Sequence, residues 1–193
     1  TDGSKISVAA GVAINVQNAT VSAVVPTGKV ITTAGTLTLR TSSNAVGKAT
    51  ASGAAVGVKD AKGNTPDPAK IGIGAAVAVN TVKVENNATL GLAVHSVGGL
   101  TIEALSLDVA KLMASAASTD TASDVFLTSA TSGAGASKVG IAGSLALNLI
   151  DTESKASIVN GATVVITGGA AGDVTLTADN QTQTTAEAKT VGG

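Results

Sequence analysis

The chain has 193 residues, of which 44% are hydrophobic, 13% charged and only 1% aromatic. A net charge of −1 leaves no basic footprint for nucleic acid, and the near-absence of aromatic rings removes the usual platforms for stacking bases. With no Cys and a single His, the composition excludes a disulfide scaffold, Cys-ligated zinc, a thiol nucleophile and any multi-His metal site.

The N-terminal stretch TDGSKISVAAG lacks a basic region followed by an apolar core, so no signal peptide is expected within it. No uninterrupted apolar run of about eighteen residues occurs, so no transmembrane helix is expected. A chain that starts and stops mid-pattern suggests a processed product or a piece of something longer.

Three segments align in chain order. KISVAAGVAIN spans residues 5–15, KIGIGAAVAVN residues 70–80 and KVGIAGSLALN residues 138–148. Each runs from a Lys (Lys5, Lys70, Lys138) to an Asn ten positions later, at periods of 65 and then 68 residues. A second block follows each: GTLTLRTSSN from Gly35, GLTIEALSLD from Gly99 and GDVTLTADNQ from Gly172. Between them lies a weaker match, which aligns NATVSAVV at Asn18 with NATLGLAVHSV at Asn87 and GATVVITGG at Gly161. Repetition in fixed order predicts one array, 1–193, with units 4–69, 70–136 and 137–193.

Each first block alternates with the period of a strand. Ile6, Val8, Val12 and Ile14 share one parity; Ser7, Ala9, Gly11 and Ala13 share the other. The same holds from Ile71 and from Val139. Side chains alternate across a strand, so one face is bulky and the other tiny. The bulky parity is expected to be the interior one. Leu37 and Leu39, Leu100 and Ile102, and Val174 and Leu176 alternate likewise in the second blocks. One stretch competes: Leu105, Val109, Leu112, Met113 and Ala116 fit a helical face. The aligned stretch after Leu39 is a poor helix, so strand is expected there too.

A 65-residue unit this rich in Ala cannot bury enough surface alone, whereas stacked coils cover one another. The expected fold is therefore all-β, a parallel β-solenoid; the alternative is an antiparallel β-sandwich. A repeat forms either one wide coil or three narrow ones. One wide coil would stack Asn15, Asn80 and Asn148 about 4.8 Å apart, three narrow coils about 14 Å apart. Ten residues of alternation without a turn signal favour the wide coil. Residues 57–69, with two of the three prolines, and residues 131–137 are expected to be loops at the joints.

The run KIGIGAAVAVN, with NATLGLAV and GGLTIEA after it, resembles the repeats of giant secreted bacterial surface proteins, the leukotoxin-like and filamentous-haemagglutinin-like adhesins. That resemblance implies a secreted or cell-surface solenoid acting as stalk, filament or adhesive surface. It supplies no site residues.

Candidate chemistry is thin, and no catalytic, cofactor-binding or metal-binding residue is assigned. His95 has no counterpart in the other units and is expected at the surface or in a turn. Asp60, Asn64 and Asp67 surround a Gly but lack calcium-loop spacing, and Gly168–Asp173 falls short of the calcium nonapeptide. Asp151 and Glu153 share a strand face, with Glu85 and Asp108 as further acids, yet no aromatic residue is at hand to hold a sugar. A polysaccharide-active β-helix is thus disfavoured and no enzyme activity is expected. Three N-x-T sequons start at Asn18, Asn87 and Asn180, the first two at what the weak match makes equivalent positions. Thr36, Thr38, Thr175 and Thr177 fit a flat Thr-rich face for ice or a crystalline polymer, but Thr101 is followed by Glu103. The expected partners are other copies or neighbouring repeats, end to end, or a cell surface or extracellular matrix. Neither nucleic acid nor a cofactor is expected.

Overall fold

The structure, a computed structural model, describes residues 6–55, 69–106, 124–169 and 172–192, without the side chain of Ser137. Among them are eleven strands: β1 (Ile6–Val25), β2 (Thr36–Ser42), β3 (Val46–Ala55), β4 (Ala69–Leu90), β5 (Val94–Val97), β6 (Gly99–Leu105), β7 (Asp124–Ala134), β8 (Ala136–Ile158), β9 (Thr163–Ile166), β10 (Val174–Asp179) and β11 (Thr182–Gly192). All pair in parallel. The fold is an all-β, solenoid-like stack of coils, and the antiparallel sandwich is excluded.

Three ladders build three walls. The long wall is β1-β4-β8; two shorter walls are β2-β6-β10 and β3-β7-β11, and β5 pairs with β9 at the corner. Each coil makes one circuit: a long strand, a corner, then two shorter strands returning beneath it. The register sets Asn15 beside Asn80 and Asn80 beside Asn148, so each repeat is one wide coil. The Asn15 Nδ2 group donates to Asn80 Oδ1 at 2.7 Å. Leu37, Leu100 and Val174 stack likewise, as do Leu39, Ile102 and Leu176.

The weak middle match does not survive. Asn18 lies beside Lys83, whereas Asn87 lies beside Ser22 and Lys155, so those two sequons are not equivalent. Thr163 pairs with Val94, which places Gly161 against the corner rather than in the long wall. The corner explains the placement of Gly161. Asn160-Gly161 makes a tight turn, closed by the Ala162 amide donating to the Val159 carbonyl at 3.1 Å, and Gly161 adopts φ 85°. The joint at 131–137 is also not a loop: β7 runs to Ala134 and β8 starts at Ala136. Residues 107–123, with the competing helical pattern, lie outside the described residues. So do 56–68, with Asp60, Asn64 and Asp67.

The interior changes character along the coil. At the corner end, Leu90, Leu100, Ile102, Val97 and Val25 pack with Ile31, Leu37, Leu39, Ile158, Val164 and Ile166. Midway, Phe126 packs with Val82, Val84 and Ala45. At the other end the core is Ala49, Ala51, Ala76, Ala78 and Ala130, flanked by Ala13 and Ala146. Beyond them the walls nearly touch. A Cβ on Gly74 would lie 2.1 Å from the carbonyl oxygen of Gly133. Only glycine permits that approach, and the coil is wedge-shaped as a result.

Candidate functional site

The expectation that the bulky parity lies inside is overturned. In β4, Gly72, Gly74, Ala76, Ala78 and Asn80 are buried; Ile71, Ile73, Val77 and Val79 point away from the interior. In β1, Ile6, Val8, Val12, Ile14 and Val16 are all more than half exposed. The physical reason is the close approach of the β3-β7-β11 wall, which before the asparagine row leaves room only for small side chains such as Gly, Ala and Ser.

After Asn80 the two parities trade character without trading sides. Inward positions become Val82, Val84, Ala88 and Leu90, while outward positions become Thr81, Lys83, Glu85 and Asn87. The outer surface of the long wall is therefore divided in two. Its corner half is polar: Lys83 lies beside Asp151, and Glu85 beside Glu153. Lys83 also forms an ion pair with Glu85. The hydrogen bond and charge of Glu85 raise the Lys83 ammonium above its ordinary range, and Lys83 lowers the Glu85 carboxyl. Both groups are solvated, and the acids Asp151 and Glu153 lie on an open face.

The other half is apolar in six consecutive rows across the coils. These are Ile6–Ile71–Val139, Val8–Ile73–Ile141, Ala10–Ala75–Gly143, Val12–Val77–Leu145, Ile14–Val79–Leu147 and Val16–Thr81–Leu149. Thr81 is the one polar member. At strand dimensions the face is about 36 Å by 14 Å. Monomeric proteins rarely expose apolar patches beyond ~300–600 Å², and larger ones mark interaction surfaces. The opposite wall is mixed. Its outward residues include Lys48, Thr50, Ser129, Thr131, Glu187 and Lys189.

The coil edges are a second feature. Among the described residues, β1, β2 and β3 are paired on one side only, as are β8, β10 and β11. Along the long wall the inward side chains of β1 and β8 are half-covered while those of β4 are buried; those of β3, in the first coil, are buried as well.

Buried polar groups serve the fold. His95 is fully buried, not at the surface. Its Nδ1 accepts from the Ile31 amide at 3.3 Å, so Nε2 carries the proton donated to the Gly91 carbonyl at 3.1 Å. It thus ties the first coil to the second. Asp124 is also buried; its Oδ1 accepts from the Ala45 amide at 2.7 Å and its Oδ2 from Ser106 Oγ at 3.3 Å. Burial raises its carboxyl above the usual range, against the lowering effect of those two donors. Thr38, Thr101 and Thr175 form one threonine row, but the next outward row is Arg40, Glu103 and Thr177, with Arg40 and Glu103 ion-paired. A regular threonine array is therefore absent from this wall. Among the described residues no cluster of three acidic, His or Cys side chains is placed to hold a metal ion, and no helix is long and apolar enough to cross a membrane. No family model, curated protein or solved structure matches the chain.

Proposed function

We propose that this chain is a structural and adhesive segment of a secreted or cell-surface solenoid, the class its repeats resemble. It works as a stalk or filament element whose outer apolar face holds another surface. The observation that carries this reading is the six-row apolar ladder. Every coil repeats it, although the interior at that end is filled by Gly and Ala and gains nothing from it. Strand edges that are unpaired among the described residues, on both outer coils, support continuation by further coils, since unpaired backbone groups recruit strands and a head-to-tail contact that does not close builds a fibre.

Retention on octyl-agarose tests the adhesive part. The chain should be retained at moderate salt, and a variant with Val12→Asp and Leu145→Asp should elute early with its melting temperature unchanged. Early elution of the unaltered chain, loaded at nanomolar concentration where copies are apart, would refute the reading.

A further inference from the structure

The apolar face carries a relief that matches itself. Its third row, Ala10–Ala75–Gly143, is a trough of small residues, and its fourth, Val12–Val77–Leu145, is a ridge. A Cβ built on Gly143 meets nothing within 4 Å, so the trough is open there. Consider a second copy turned over about a twofold axis that lies in the interface plane, crosses the three strands and passes between these rows. Each ridge then lies over the other copy's trough. Val12 faces Ala10, Val77 faces Ala75, and Leu145, the longest side chain of its row, faces Gly143, the smallest. The outer rows pair as Val8–Ile73–Ile141 over Ile14–Val79–Leu147. A twofold interface needs such a self-complementary patch, and sheet faces pack through interdigitating side chains about 10 Å apart.

We propose that two copies of this chain pair laterally through this face, with their solenoid axes parallel. The proposal rests on the adhesive reading above and names the partner of that face. Area supports it. Eleven large side chains of the face are 36% to 72% exposed. Their accessible surface is on the order of 1,000 Å², against roughly 800 Å² per partner in a standard stable interface. Charge supports it as well. The twofold carries the Lys83 and Asp151 row beyond the partner's last apolar row, Ile6–Ile71–Val139, so those charges are not set against any of the six apolar rows. Because the axis runs along the stacking direction, each further coil would extend the same pairing.

The test is sedimentation equilibrium of the full chain from about 1 to 100 µM, with Leu145→Asp and Gly143→Leu variants. Circular dichroism melts check that each variant folds. The unaltered chain should associate in pairs. Leu145→Asp should abolish pairing, and Gly143→Leu should weaken it at least tenfold although it adds apolar surface, because it fills the trough. If coils also stack end to end, the readout becomes filament width by electron microscopy: two solenoids for the unaltered chain and one for the variants. A chain that stays single yet is retained on octyl-agarose overturns the pairing alone. A chain that stays single and is not retained overturns the adhesive reading with it. Pairing indifferent to both substitutions, or strengthened by Gly143→Leu, also overturns the proposal.

Discussion

A methyl group placed on Gly53 would lie 1.6 Å from the carbonyl oxygen of Ala75. The two residues belong to opposite walls, β3 and β4, and their contact is backbone against backbone. That contact fixes the thickness of the coil and forces every bulky residue of the first half of the long strand outward. Gly53→Ala is therefore expected to destabilise by at least ~3 kcal/mol, at the severe end of overpacking, because neither partner is a flexible side chain. Gly143→Ala, which enters open space, should change stability by less than about 0.5 kcal/mol. Urea melts of the two variants check this; similar midpoints would contradict the close approach.

Asn80 is buried, accepts from the Asn15 amide at 2.7 Å and donates to the Gly47 carbonyl at 3.4 Å. Asn80→Ala is expected to cost about 1–3 kcal/mol by leaving these groups without partners. Asn80→Asp should cost more at neutral pH, because its partners among the described residues, Asn15 and the Gly47 carbonyl, offer a buried carboxylate no counter-charge, and should recover in acid as the carboxyl is protonated. Melts at acidic and neutral pH measure both effects.

The strand period, the coil width and the pairing of Asn15, Asn80 and Asn148 were legible in the sequence because each repeats an identical cue at a matching interval. Which face is inside was not legible in the first eleven residues of a unit. Alternation defines two faces without choosing between them, and the habit of placing large residues inside chose wrongly. A signal was present further along. Following one parity through the whole of β4 leads from Ile73 and Val77 to Lys83 and Glu85, and a parity that carries charge is the outer one. The corner slip had a different cause: Asn-Ala-Thr at Asn87 and Gly-Ala-Thr at Gly161 look alike, but one continues a strand and the other leaves a turn. His95 was misplaced because a lone polar residue before a Gly pair resembles turn chemistry, and its bonds to Ile31 and Gly91 exist only once the coils stack.

Asp124 offers a pH test. Its carboxyl is raised in the folded state, so the folded chain holds that proton more tightly than the unfolded chain. The associated stability is present below the ordinary aspartate range and is lost as pH rises through the raised value. Asp124→Asn keeps an acceptor for the Ala45 amide and presents a donor to Ser106 Oγ. Its melting temperature, relative to that of the unaltered chain, should therefore rise as pH increases from the ordinary aspartate range upward. A constant or falling difference would count against a buried, ionisable Asp124.

His95→Leu is expected to destabilise by about 1–3 kcal/mol, because it leaves the Ile31 amide without its acceptor and the Gly91 carbonyl without its donor. Thermal melts read the cost, and hydrogen exchange at Ile31 should accelerate. An unchanged exchange rate would mean that His95 does not tie the first coil to the second.

The inversion of faces is the centre of this account, and thiol labelling tests it most directly because the chain has no cysteine of its own. Ile14→Cys and Ala78→Cys are compared at nanomolar concentration, where copies are apart. Cys at position 14, where Ile14 is 67% exposed, should react at the rate of a free thiol; at position 78, where Ala78 is fully buried, it should react only after denaturation. Protection at 14 with rapid labelling at 78 would place the bulky parity inside and contradict the account.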